Sequence, residues 1–147
     1  MSKIYISTSW KNRELVRKTA EELRKIGHEV YDFTDPKCRA TPEIPPEKFP
    51  EQFCSKLHVY SEYLNKVEWK NAVLENFRAV EQCDIILLLL PCGIDSTADW
   101  ALGVGMGKKS IIIGSPKDGE RSPVHLLANK MVQTTEQAIE WIRNKND

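Results

Sequence analysis

The sequence has little of what would mark it for a membrane, a nucleic acid, a metal or an oxidising compartment. Its longest apolar run, Ile85 to Leu90, stops at Pro91 and is far too short to cross a bilayer. The opening MSKIYISTSW places polar residues inside its first apolar stretch, where a signal peptide needs an unbroken one. A cytoplasmic location and no membrane partner are therefore expected. There is no surplus of charge: 21 Lys and Arg face 21 Asp and Glu. A protein devoted to a nucleic acid polymer or an acidic membrane would gain from a basic excess. The four cysteines (Cys38, Cys54, Cys83, Cys92) form no CxxC pair. Cys83 and Cys92 flank an apparent strand at opposite ends, too far apart to be bridged. With only three His residues, no metal site is expected, and the cysteines are read as free.

Glycine is missing where the commonest nucleotide folds need it. A dinucleotide site wants G-x-G-x-x-G after its first strand and a P-loop wants G-x-x-x-x-G-K-[ST]; neither occurs. A response-regulator site needs acidic residues after the first strand, and Ser7 and Thr8 stand there instead. What the sequence does contain is the material of one domain spanning residues 1–147, with 41% hydrophobic and 29% charged residues. At this length a chain buries roughly 68–70% of its unfolded surface, enough for a true core.

Patterning divides the chain into alternating elements. Lys3 to Ser7 predicts a strand, and Asn12 to Ile26 a helix with Leu15, Val16, Ala20, Leu23 and Ile26 on one face. Gly27 would stop that helix, and His28 to Phe33 predicts a second strand. Thr34 to Pro50 holds five prolines and reads as a long loop. Helical patterns return from Glu51 to Gln82 in two pieces. Asp84 to Leu90 (DIILLLL) predicts a central strand buried on both faces. A helix over about Thr97 to Met106, a strand over Lys109 to Ile113, a short strand over Lys130 to Gln133 and a helix over Thr135 to Asn144 complete the chain. Strand, helix, strand repeated in this way predicts a doubly wound, flavodoxin/Rossmann-like α/β sandwich of three layers, with a mainly parallel sheet of about five strands.

Ligands of open α/β sheets bind beyond the carboxyl ends of the strands, where strand order reverses. Two segments should lie there: Ser7-Thr8-Ser9-Trp10, and the run from Pro91 through Gly93, Asp95, Ser96 and Thr97 to Asp99. Asp99 admits two readings. Ser96-Thr97-Ala98-Asp99 fits a capping box at a helix start, and an ionised carboxylate at the sheet mouth can instead act as a nucleophile or stabilise a developing cation. Asp95 is divided between helix cap and active-site acid. Tyr5 is either a core ring with a satisfied hydroxyl or a phenol that orients a carboxylate. Trp10 fits a stacking platform for a flat ligand or a packing residue at the sheet edge. Ser7, Thr8 and Ser9 can hydrogen-bond a sugar or phosphate, or cap the following helix. Gly103, Gly105 and Gly107 fall late in a helix, where small residues permit close packing and a C-cap.

Three of these pieces, KIYISTSWKNRE, GHEVYDFTDP and CDIILLLLPCGIDSTADWALGVGMGKK, carry a resemblance. In their order and spacing the sequence resembles the nucleoside 2-deoxyribosyltransferase-like superfamily, which includes deoxynucleoside monophosphate N-glycosidases. The small bacterial and phage members, which read like KIYLASSW and then PCG, are the most similar. The resemblance covers most of the chain and is weakest over Lys37 to Trp69. It implies a nucleoside deoxyribosyltransferase-like domain that cleaves or transfers at the N-glycosidic bond of a 2′-deoxynucleoside or its 5′-monophosphate. A carboxylate attacks the anomeric carbon, and a second base or water then takes the sugar, in the manner of retaining glycosidases. Asp99 matches the nucleophile and Tyr5 the tyrosine that orients it. Ser7, Thr8, Ser9, Trp10, Gly93, Ser96 and Thr97 fall in the loops that meet the sugar or its phosphate. Asn76 and Asp95 are placed to contact the base. The resemblance further implies no cofactor, a small nucleoside or nucleotide as partner, and a homodimer or higher homo-oligomer.

This chain departs from the family at three positions. Asp99 stands where Glu is usual, one methylene shorter. Asn76 stands where an Asp is common, and an amide cannot deliver a proton as a carboxylic acid does. Ala101 replaces a glycine. These departures keep two alternatives open: a catalytically weak or inactive nucleotide-binding or sensing protein of the same fold, and a TIR-like domain suggested by YISTSWKN.

Overall fold

The computed structural model describes residues 1–40, 61–62, 65 and 67–144. Strands β1 (Lys3–Ser7), β2 (Glu29–Tyr31), β3 (Ile85–Leu89), β4 (Lys109–Ile113) and β5 (Lys130–Val132) form one sheet in the order β2-β1-β3-β4-β5. All four pairings are parallel. Helices α1 (Arg13–Lys25), α2 (Val67–Gln82), α3 (Ile94–Gly105) and α4 (Thr135–Asn144) cover both faces. This is the doubly wound three-layer arrangement, and order reverses between β1 and β3.

Each face has its own core. Val16, Ala20 and Leu23 of α1 and Ala138 and Ile142 of α4 pack on Ile4, Ile6, Leu87, Leu89, Ile111 and Ile113. On the other face, Val80 of α2 and Trp100 of α3 pack on Tyr5, Ile86, Leu88 and Ile112. The alternation of β-strand side chains thus sends Ile4 and Ile6 one way and Tyr5 the other. All five residues of β3 are buried. At about 1.5–3 kcal/mol for each large apolar side chain, this strand contributes more hydrophobic stabilisation than any other single strand of the sheet.

Several expected boundaries move. Strand β2 is shorter than His28 to Phe33. Of the Pro-rich segment only residues 34–40 are described, and the first helical piece after Glu51, together with Cys54, falls mainly or wholly outside the described residues. The largest correction concerns α3, which begins at Ile94 rather than Thr97, with Gly93 as its N-cap. The first turn closes through the Thr97 N–H donating to the Gly93 carbonyl at 3.2 Å. Extended Gly93 turns the chain out of the Pro91-Cys92-Gly93 segment early enough that no capping box forms at Ser96. Asp99 consequently lies in the second turn, away from the unsatisfied N–H groups of a helix start.

Two glycines answer to geometry. A Cβ on Gly103 would lie 2.8 Å from Cδ1 of Ile86, so α3 sits directly against β3. Gly107, with φ +77, ends the helix in the left-handed region that favours glycine. At Gly105 a Cβ would meet open space, so close packing does not account for it.

Candidate active site

Strand register brings the aromatic part of the site together. Tyr5 pairs with Tyr31 across β1 and β2, and their rings stack with centroids 5.2 Å apart and planes within 8°. Above Tyr5 stands α3, held close by Gly103, with Asp99 on its sheet-facing side. The Tyr5 hydroxyl donates to Asp99 Oδ2 at 2.9 Å. From α2, Asn76 Nδ2 donates to the same oxygen at 3.5 Å, and Tyr31 Oη donates to Asn76 Oδ1 at 3.3 Å. Four side chains from four elements therefore form one connected chain, Tyr31–Asn76–Asp99–Tyr5. Both donors end on Oδ2, and among the described residues Oδ1 accepts no hydrogen bond.

Burial sets the electrostatics. It raises the Asp99 carboxyl above the ordinary Asp value of 3.8, the hydrogen bonds from Tyr5 and Asn76 pull it back, and the charge of Asp95 pushes it up. The expected hold of a helix start on this carboxylate is thus replaced by desolvation opposed by two side-chain donors. Burial also raises the Tyr5 phenol well above 10, aided by the Asp99 charge and hydrogen bond. Tyr31 is pushed up to about 12, chiefly by burial, with Arg39 opposing. Both phenols are therefore donors at neutral pH.

The two loops at the switch point are tied together. Ser7 Oγ donates to the Ser96 carbonyl at 2.8 Å and Thr8 Oγ1 to the Leu89 carbonyl at 2.7 Å. Asn12 Nδ2 donates to Thr8 Oγ1 at 2.8 Å and to the Pro91 carbonyl at 2.6 Å. From the far side, the Cys92 N–H donates to Glu120 Oε2 at 3.3 Å. Ser7 and Thr8 are buried and their protons are committed to carbonyls, so these hydroxyls tie the two loops together and have no proton left to donate to a ligand. Ser9 caps the short turn at Trp10, accepting from the Lys11 N–H at 3.4 Å. Trp10 meets Phe33 edge-on at 5.5 Å and packs against the α1/α4 core, the other face of the sheet from Tyr5. Asp95 is exposed in the first turn of α3 and acts on Asp99 through charge. Gly93 is exposed beside it, and Thr97 Oγ1 lies 3.4 Å from the Cys92 thiol.

Sequence reasoning passed over Tyr31, Asn12 and Glu120. Tyr31 had one usable signal, since parallel pairing of the first two predicted strands places HEVYDF beside KIYIS. Asn12 and Glu120 act through contacts 79 and 28 residues away in the chain, which no local pattern records. Among the described residues, no group of three or more His, Cys, Asp or Glu is arranged to hold a metal ion, and no helix is long and apolar enough to cross a membrane.

No family model and no curated protein matches the sequence. Among solved structures, the chain is similar to a 2-deoxyribosyltransferase from the psychrotolerant bacterium Bacillus psychrosaccharolyticus. That match has a TM-score of 0.55 and 14% identity, and covers 92% of this chain and 89% of that one. A CMP N-glycosidase of Clostridium botulinum, BcmB, matches with a TM-score of 0.49 and 12% identity over 96% and 98% of the two chains. The first match establishes a shared fold.

Proposed function

We propose that the protein is an enzyme that cleaves or transfers at the N-glycosidic bond of a 2′-deoxynucleoside or its 5′-monophosphate, with Asp99 as the nucleophile. The observation that carries this reading is the Tyr5–Asp99 contact: a desolvated carboxylate at the carboxyl end of the central strands, gripped on one oxygen with the other left to react. The fold shared with a 2-deoxyribosyltransferase and the sequence resemblance support it.

In the proposed reaction Asp99 Oδ1 attacks C1′ as the C1′–N bond breaks, through an oxocarbenium-like transition state. The bonding pair leaves with the base, which takes a proton from solvent. Tyr5 and Asn76 hold Oδ2, so the carboxylate neither rotates nor needs reordering before attack. A second base, or water, then attacks C1′, gives up its proton to solvent and releases the Asp99 carboxylate. Asn76 and Asp95 border the space for the base. With the Ser7 and Thr8 protons committed to carbonyls, a phosphate would need donors from elsewhere, such as Lys11 or Arg13.

The implied homo-oligomer finds support in α2, where Val73, Leu74 and Phe77 expose 45–50% of their surface beside Asn76. Burying these side chains against a second copy would offset the cost of leaving them in water.

The test is release of free base from a panel of deoxynucleosides, their monophosphates, ribonucleotides and NAD, with Asp99→Ala run in parallel. Release that disappears in the variant supports the proposal, and adding a second base separates transferase from hydrolase. Release unchanged in Asp99→Ala overturns the nucleophile assignment. A nucleotide that raises the melting temperature without losing its base would favour the binding-protein reading, with Asn76 in the place of an acid as its explanation. Base release confined to NAD would favour the TIR-like one.

A further inference from the structure

An amide beside a carboxylate has two orientations, and only one attracts. If Asn76 turned Oδ1 toward Asp99, two oxygens carrying negative charge would face each other, while Nδ2 faces it as a donor. The carboxylate alone favours the second orientation. Tyr31 adds a second constraint, because its hydroxyl lies 3.3 Å from Oδ1 and has no other hydrogen-bond partner among the described residues. We propose that Tyr31 is a positioning residue that acts through Asn76: by donating to Oδ1 it fixes the amide so that Nδ2 stays on Asp99 Oδ2.

Several observations support this. The Tyr31 ring cannot swing away easily, since it is stacked on Tyr5, which is itself 1% exposed. The phenol also keeps its proton at neutral pH, so the polarity of the relay does not reverse. At 3.5 Å the Asn76–Asp99 contact is at the long limit of a hydrogen bond, so alone it holds the amide weakly and a second anchor on Oδ1 matters. Among the described residues the titratable groups acting on the relay are Asp95, on the helix of Asp99, Cys38 on the loop after β2, and the Arg39–Glu75 ion pair at 3.8 Å, where that loop meets α2. Glu75 also accepts from the Ala40 N–H at 3.1 Å, which holds that loop against the helix one residue before Asn76.

In its kinetic consequence the inference rests on the proposed role of Asp99, but its structural core does not, and the experiment separates the two. The Asp99 carboxyl is titrated by carbon NMR in protein labelled at aspartate, with the signal assigned by its loss in Asp99→Asn. The titration is repeated in Tyr31→Phe, which keeps the stacked ring, in Asn76→Ala, and in the double variant. Removing the fixed donor raises the Asp99 midpoint in each single variant. Because Tyr31 acts through Asn76, Tyr31→Phe has no further effect once Asn76 is Ala. If turnover is found, Tyr31→Phe lowers kcat up to about tenfold, the factor carried by one lost hydrogen bond, with KM little changed. An Asp99 midpoint that does not move in Tyr31→Phe overturns the inference. An equal shift with and without Asn76 does so too, since Tyr31 would then act by packing or through Tyr5. The coupled shift in a protein that releases no base would uphold the relay and count against the enzymatic proposal alone.

Discussion

The Tyr5 hydroxyl reaches Asp99 across 94 residues of chain and donates to it at 2.9 Å. Neither residue reaches the other by local geometry. Tyr5 is delivered by the alternation of β1, and Asp99 by a helix that starts at Ile94, is capped by Gly93 and lies against Ile86.

Replacing Tyr5 with Phe tests that bond with the stacked ring retained. The hydroxyl lowers the Asp99 carboxyl, so its removal lets desolvation raise that group further. The expected outcome is a fall in kcat/KM of about 10–100-fold, the range for a lost hydrogen bond to a charged group. The acid limb of the pH profile should also move to higher pH. A profile unchanged in position would show that the bond does not tune the carboxylate.

Asp99→Asn should stabilise the fold while abolishing turnover. The folded-state carboxyl is raised above 3.8, so between that value and its own midpoint the folded protein binds more protons than the unfolded chain. Stability contributed by this group is therefore full below 3.8 and declines as pH rises through the window. The amide carries no such penalty. Urea midpoints should coincide for the two proteins in acid and diverge in favour of the variant at neutral pH. A variant that is less stable at neutral pH would mean that the ionised carboxylate is not a liability.

Asn76→Asp would place a second carboxyl about 3.5 Å from the first. Two carboxylates that close do not both ionise readily, and the pair should titrate in two separated steps. The shared proton would supply a general acid near the base, so a single acid limb should become a bell-shaped profile. Persistence of a single limb in a folded variant would indicate that the side chain at 76 turns away from Asp99.

Gly114→Ala probes the loop after β4. Gly114 has φ +92, and a Cβ there would lie 2.7 Å from the Leu90 carbonyl oxygen, against which backbone cannot yield cheaply. Loss of about 2 kcal/mol is expected from the left-handed strain and the clash together, or a drop in Tm of roughly 4–8 °C. Gly119, with φ +86 and nothing near its Cβ position, isolates the strain, and its replacement should cost less. Equal losses at the two positions would remove the clash from the explanation.

The sheet was legible wherever hydrophobic pattern alone decides an element. The run DIILLLL contains β3, and β4 and α4 keep their expected bounds. The start of α3 was not legible, because its N-cap is a glycine with no side-chain bond while Ser96 and Asp99 carry the spacing of a capping box. Tyr5, Asn76 and Asp99 stood out as a group only through the resemblance, since nothing in their spacing joins them. Tyr31 needed the register of β1 against β2, and Asn12 and Glu120 needed loops far apart in sequence. Trp10 was ambiguous as a residue type; its edge-on contact with Phe33 follows from the turn at Trp10–Asn12.

The sheet also divides the molecule by task. Tyr5, Tyr31, Asn76 and Asp99 meet in the α2/α3 layer, while α1 and α4 cover the opposite face with aliphatic packing around Ile4, Ile6, Leu87 and Ile111. That second layer can drift in sequence, trading one well-fitting apolar side chain for another, without touching the carboxylate. Over evolutionary time the two sides of one sheet are free to diverge at different rates: one constrained by the positions of four polar side chains, the other by volume and by the buried contact of the Thr19 and Thr135 hydroxyls.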